Sequence, residues 1–316
     1  MELRKLTTRS TLVLAFTVAA SGVAVTFIPG CPTPGPAGCT TNADCDDGDE
    51  CTMDTCNAAG ECVYENICPS AEAFDLGTAS DDVIGGLDVT SEITSVTIGS
   101  PPVVEFSVTT ADGTPITGLG ALWEDSNRTV GFTLTKLVPG SPGDPTTRVA
   151  YTRRTNDDGS IWPFYDNGSS LVDNGDGTYV FTMLTDVANV SGVSYEPGLT
   201  HRVAGHISTS EVPLKDQNLV FDFVPDGSDV TETRNIAAMD SCNECHAGLV
   251  FHGRFFKAEY CANCHTPDLA EGEGDFKYMV HKIHAGHTFD VLHGGLDYGE
   301  VTYPQGLNNC RKCHSG

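Results

Sequence analysis

Between Cys242 and His314 the chain repeats one pentapeptide three times: Cys242-Asn243-Glu244-Cys245-His246, Cys261-Ala262-Asn263-Cys264-His265 and Cys310-Arg311-Lys312-Cys313-His314. C-x-x-C-H is the attachment sequence for c-type haem. Two thiols add across the vinyl groups of one porphyrin, and the two intervening residues let both sulfurs reach them. The adjacent histidine falls under the iron as its proximal ligand. A zinc ribbon uses paired CxxC knuckles and has no need of a histidine directly after each second cysteine. A thiol–disulfide CxxC occurs once, near a βαβ pattern. The repeat therefore predicts three covalently attached haems c. They would be held by Cys242, Cys245, Cys261, Cys264, Cys310 and Cys313, with His246, His265 and His314 on the irons. A segment this short has only a marginal core of its own. The haems are expected to form much of it, close enough together to exchange electrons.

Three proximal histidines leave three iron positions open. Met279 is the only methionine downstream of Cys242, whereas His252, His281, His284, His287 and His293 are all spare. This supply predicts bis-histidine coordination. Histidine in place of methionine favours a lower potential, and a filled distal position argues against oxygen activation. Residues 275–286 read as one short helix with Asp275 as N-cap and Gly286 as C-cap. His281 and His284, three apart on that helix, could serve two different haems. At least two of the five spare histidines are surface residues or partners of haem propionates on this count.

The N-terminus reads as an export signal over residues 1–30: Arg4, Lys5 and Arg9 precede an apolar run from Thr11 to Pro29. An uncleaved anchor is the alternative, since the run is nearly long enough to span a membrane. Ile28-Pro29-Gly30-Cys31 resembles a lipoprotein cleavage box, although Pro29 is unusual there. Setting Cys31 aside as the lipidated residue leaves six cysteines ahead of the haem segment: Cys39, Cys45, Cys51, Cys56, Cys62 and Cys68. In an exported chain such spacing reads as a disulfide framework of unreadable connectivity. Residues 31–70, a spacer plus this module, hold eight acidic side chains and no Lys or Arg. Asp44, Asp46, Asp47 and Asp49 could bind calcium, but Thr55 stands where an EF-hand needs glutamate. A solvated acidic loop is the plainer reading.

Residues 71–240 contain no cysteine. Val104, Phe106 and Val108 alternate with polar residues; the same period of two recurs around Tyr179–Met183 and Leu219–Phe223. Strand-like runs also fall near 93–98, 129–137, 148–153 and 201–208. Turn sequences at 111–115, 156–159 and 173–177 separate them. Seven or so strands with such turns predict an antiparallel sandwich or barrel. His201 and His206, five apart on one strand, fall on opposite faces and read as structural or surface residues. Trp123 and Trp162 read as core or rim residues. Residues 225–240 would link this domain to the haem segment at 241–316, an irregular part with short helices.

The formal net charge is −26. Such a chain will not bind nucleic acid or an anionic membrane electrostatically. Cationic partners suit it, metal ions or a basic redox partner among them.

From about residue 85 onward the chain resembles the outer-membrane multihaem cytochromes of the OmcA/MtrC type. The likeness rests on LTKL at 134–137, DNGDGTY at 173–179, LTHRV at 199–203 and FVPDG at 223–227. It continues through CNECH at 242–246, HGR at 252–254, EYCANCH ending at His265, MVHKIHAG at 279–286 and VTYPQGLNNCRKCH at 301–314. The resemblance implies a Greek-key (split-barrel) β domain at 71–240 and the start of a multihaem domain from 242. It implies distal ligation by His252, His281 and His284, without pairing them to particular haems. It also implies electron transfer at the cell surface, toward metal oxides or ions, flavins or a partner cytochrome, on a chain held to the outer membrane by its N-terminal lipid; a periplasmic location is the alternative. Relatives typically carry about ten haems, against three motifs here. A substrate-specific haem reductase and a surface binding module are the competing functions.

Overall fold

The computed structural model describes residues 38–48, 52–66, 72–126, 128–269, 273–286, 292–293, 296–300 and 302–314. The expected export signal, Cys31, Asp49, Cys51, Cys68 and His287 lie outside these residues. The chain divides into two compact units, residues 1–68 and 69–316.

In the first unit, β1 (Thr52–Cys56) and β2 (Cys62–Asn66) form an antiparallel hairpin in which Cys56 lies opposite Cys62. Disulfides Cys39–Cys56 and Cys45–Cys62 fasten this hairpin to the short turn Asn42–Cys45. Four of the six expected disulfide cysteines are thus paired among the described residues. Asp44 caps the turn: its Oδ2 accepts from the backbone N–H groups of Thr40 and Thr41 at 2.9 and 2.8 Å. Those bonds hold its carboxyl down at about 2. Asp46 likewise accepts from Gly48 N–H at 3.0 Å. The acidic loop satisfies its own backbone, and among the described residues no set of carboxylates converges as a calcium cage.

The second unit begins with β3 (Phe74–Asp75), α1 (Asp81–Gly86), β4 (Val89–Thr97) and β5 (Val103–Thr110). Next come β6 (Ile116–Thr117), α2 (Leu119–Asp125), β7 (Val130–Val138), β8 (Thr147–Ala150), β9 (Arg153–Thr155) and β10 (Ile161–Pro163). β11 (Ser170–Asp173), β12 (Thr178–Thr182), β13 (His201–Ile207) and β14 (Gln217–Phe223) complete the β domain. The period-two runs become β4, β5, β7, β8, β12, β13 and β14. β11 and the β9–β10 hairpin are too short to display a period.

Two four-stranded antiparallel sheets result, ordered β11-β12-β5-β4 and β14-β13-β7-β8. β5 pairs with β12 and β7 with β13, so the chain crosses between sheets as in a Greek key. The facing residues make one core: Val104, Phe106, Val108, Tyr179 and Phe181 from one sheet meet Phe132, Leu134, Val203 and Ile207 from the other, all fully buried. Phe132 bridges the layers, its ring centre 5.5 Å from Phe106 and 4.9 Å from Phe181. Gly205 makes room for it. The two residues are cross-strand partners, and a Cβ at 205 would stand 2.2 Å from the Phe132 ring.

β7 and β13 are buried on both faces. The inward face is the sandwich core; the outward face, with Thr133, Thr135, Arg202, Ala204 and His206, is covered by the C-terminal segment. His201 and His206 are indeed structural. Tyr151 donates to His201 Nε2 at 3.1 Å while His201 Nδ1–H donates to the Leu199 carbonyl at 2.8 Å. His206 Nδ1 accepts from Tyr260 at 3.0 Å. Trp123 packs against the core and Trp162 sits at the rim under Arg154.

Candidate haem sites

Past residue 223 the chain runs without regular structure to α3 (Met239–Asn243), followed by α4 (Ala258–Cys264) and α5 (Phe276–Ala285). All three CxxCH motifs adopt the same local turn. The backbone N–H of His246 donates to Cys242 O at 3.1 Å, that of His265 to Cys261 O at 2.8 Å, and that of His314 to Cys310 O at 2.9 Å. One helical turn brings residues i, i+3 and i+4 to the same side. Both sulfurs and the imidazole of each motif therefore share a face, as attachment to one porphyrin requires.

The six thiols of these motifs are free. Burial pushes Cys261 and Cys264 up to about 12, opposite to the lowered pKa of a redox-active CxxC. Among the described residues no three donors of the segment converge as a zinc cage would. The motifs lie near one another. Burial, with Cys313 nearby, raises the Cys242 thiol; Cys242 adds a smaller part to the burial-driven rise of Cys261, and Lys312 pairs with Glu244. Thr266 Oγ1 and His314 Nδ1 are buried with no hydrogen-bond partner among the described residues, as polar atoms are when their partner is a group outside the polypeptide.

Among the described residues the histidine of each CxxCH motif meets one spare histidine. Ring centres are 6.2 Å apart for His246 and His284, 6.3 Å for His265 and His252, and 5.9 Å for His314 and His281. α5 supplies two of the three partners. Its ends are where the sequence places them: Asp275 Oδ1 accepts from Lys277 N–H at 3.0 Å, and Gly286 is the C-cap. His281 and His284 donate from Nδ1 to the carbonyls of Lys277 and Val280, at 2.6 and 2.8 Å. His265 donates from Nδ1 to Gly274 O at 2.9 Å. In each of these three the bond fixes the tautomer with the proton on Nδ1.

His252 is presented differently. Residues 251–254 form a tight turn with left-handed φ at both central positions, 52° at His252 and 79° at Gly253, closed by Arg254 N–H to Phe251 O at 3.1 Å. That is the type I′ pattern. A left-handed histidine costs about 1–2 kcal/mol, a local strain of the kind found at functional positions. Of the remaining spares, His293 forms part of a two-residue strand pair, opposite Leu296.

Two aromatic neighbours were not singled out from the sequence as site residues. Tyr303 stands edge-on to His284 at 5.5 Å, with its hydroxyl 4.0 Å from Cys313 Sγ; it lies in the VTYPQ run. Tyr260, stacked on Phe255 at 4.4 Å, anchors α4 to His206; it directly precedes the second motif.

Residues 234–316 match the sequence model of a family described as "Outer membrane cytochrome MtrC/MtrF-like, domains II/IV". The chain is 28% identical over 234 residues to the multiheme cytochrome MtrC of Shewanella baltica (strain OS185), covering 70% of this chain and 31% of that protein. The crystal structure of the outer membrane decaheme cytochrome OmcA superposes with a TM-score of 0.63 at 24% identity, covering 77% of this chain and 41% of the other. MtrC from Shewanella baltica OS185 gives 0.53 at 23%, covering 72% and 35%. The chain thus spans well under half the length of these relatives.

Proposed function

Taking the chain as an outer-membrane multihaem cytochrome of the OmcA/MtrC type, we propose that it holds three haems c and conducts electrons at the cell surface. The Cys242/Cys245, Cys261/Cys264 and Cys310/Cys313 pairs hold them by thioethers. His246 with His284, His265 with His252, and His314 with His281 would hold the irons in pairs. The histidine separations carry this reading. A metal–imidazole bond is about 2 Å, so two rings on opposite sides of one metal have centres roughly 6 Å apart. All three pairs meet that spacing.

Haem iron supplies the one-electron chemistry; the polypeptide supplies spacing, orientation and electrostatics. Carbonyls of Lys277, Val280 and Gly274 accept from Nδ1–H of His281, His284 and His265 and would orient these imidazoles toward the irons. Paired histidines at every site would favour electron transfer over binding of a substrate at the metal. His281 and His284 share α5, which makes the His314 and His246 sites neighbours. Cys242 lies near both Cys261 and Cys313. This supports an order in which the His246 site stands between the other two.

The same reading assigns residues 1–30 as export signal, Cys31 as a lipid anchor, residues 31–70 as spacer and disulfide module, 71–240 as β domain and linker, and 241–316 as the triheme segment. Electrons pass to extracellular metal oxides or ions, flavins, or another multihaem cytochrome. Mass spectrometry of the purified native chain, with a visible spectrum and haem stain, tests it. Three haem masses and a low-spin c-type spectrum are expected; a colourless chain with zinc on its thiols would overturn the proposal.

A further inference from the structure

Both histidines of the second pair hang from one rigid sheet, and two asparagines make the attachment. Asn263 stands inside the second CxxCH motif, between Cys261 and Cys264, yet its side chain is 1% exposed and turned into the β domain. Its Nδ2 donates to Thr133 Oγ1 at 3.0 Å and to Arg202 O at 3.3 Å, and its Oδ1 accepts from Thr135 Oγ1 at 3.1 Å. Thr133 Oγ1–H in turn donates to Ala204 O at 3.0 Å. The amide is satisfied on both ends by β7 and β13, and it pins α4 to the sheet.

On the distal side, Asn218 of β14 is 4% exposed. It donates from Nδ2 to Arg254 O at 3.1 Å and accepts at Oδ1 from Phe256 N–H at 2.8 Å. It thereby grips the chain on either side of Phe255, where the turn carrying His252 closes. β14 and β13 are paired, with Asn218 opposite His206, and His206 binds Tyr260 of α4. The other two distal histidines ride instead on α5, which is held by its own caps and by Lys282 with Glu273 at 2.9 Å.

We propose that Asn263 and Asn218 are positioning residues for one haem out of three. Asn263 orients His265 and Asn218 orients His252, so the β sheet sets the axial geometry of the second site alone. This rests on the haem assignment above. Buried amide bonds of this kind leave a desolvated partner unpaired when truncated. The strain at His252 gives its turn a route to relax if Asn218 lets go.

The test is electron paramagnetic resonance and potentiometric titration of the holo chain, wild type against Asn263→Ala and Asn218→Ala. His252→Met identifies which of three ferric low-spin signals belongs to the second site. Each asparagine variant is expected to keep three haems by mass and to move that same signal, or convert it to high spin, while the other two stay fixed. Three unmoved signals in both variants, or equal movement of all three, would overturn the inference. Should Asn263→Ala fail to accumulate, Asn218→Ala, remote from any thioether, decides alone. A wild-type chain carrying no covalent haem would instead defeat the underlying assignment, which separates the two failures.

Discussion

The imidazoles of His281 and His314 lie 5.9 Å apart, centre to centre, with planes inclined by 22°. His284, one turn further along the same helix, faces His246 instead. One ten-residue helix, α5, thus addresses two different CxxCH motifs, separated by more than sixty positions of sequence. Exchanging one of these histidines should therefore disturb one haem and spare its neighbour. His281→Met and His284→Met are each expected to raise a different one of the three midpoint potentials, since methionine as axial ligand raises potential. Each rise should be a fraction of the ~0.8 V that axial ligands span. The double variant should raise two. Spectroelectrochemistry reads this directly; both single variants shifting the same haem would refute the pairing.

Removal of thiols distinguishes attachment from zinc binding. Cys261→Ser with Cys264→Ser should lower the haem count from three to two and leave the other two c-type signals in place. Cys264→Ser alone should leave the haem held by one thioether, with a red-shifted reduced band. A zinc site would instead lose stoichiometric metal with no change in colour. Haem content by mass and by alkaline pyridine spectrum settles which occurs.

The chemistry of the segment is legible because each motif is local. Cys242 to His246 closes one turn, and Asp275 and Gly286 mark the two ends of α5. The β strands with one wet face, such as β5, announce themselves by alternation. What the sequence conceals is anything decided by a second surface. Thr133, Thr135, Arg202 and His206 look like the solvent face of β7 and β13, yet the C-terminal segment covers them. Asn263 reads as a filler between two cysteines and proves to be a buried tether. The meeting of His246 with His284 depends on how separate elements pack, which no local pattern records.

Gly205 faces Phe132 across the sheet, and the ring fills the space a side chain would occupy. Gly205→Ala should force Phe132 off its packing between Phe106 and Phe181. Overpacking of this sort costs about 1–3 kcal/mol. The expected result is a lowered melting temperature with the haem count unchanged. An unaltered melt would mean that the sandwich yields more easily than its buried aromatic contacts imply.

The disulfide module should respond independently of the haem-bearing unit, because residues 1–68 and 69–316 are separate compact units. Its two bridges each span 17 positions, and a loop of that size is restrained by about 3 kcal/mol. Mild reduction should expose residues 38–66 to proteolysis while leaving the number of covalently bound haems unchanged. Proteolysis of residues 69–316 at the same reductant concentration would contradict this division.

His206 supplies a pH signature of the contact between sheet and α4. It is fully buried, accepts from Tyr260, and lies beside Arg254; burial first, then that guanidinium, press its pKa down to about 3. In the unfolded chain the same imidazole takes a proton near 6.5. Between those values only the unfolded state binds the proton, so stability rises with pH across this window. Its contribution is complete above about 6.5 and is lost as pH falls toward 3, by about 1.4 kcal/mol per unit. His206→Gln removes the titrating group. At neutral pH the variant should be less stable than wild type, and the gap should narrow steadily on acidification from pH 6.5 to pH 4. Urea melts of both holo proteins at several pH values provide the comparison. Parallel stability curves would show that His206 keeps its proton exchange in the folded state, and so that α4 does not seal it from water.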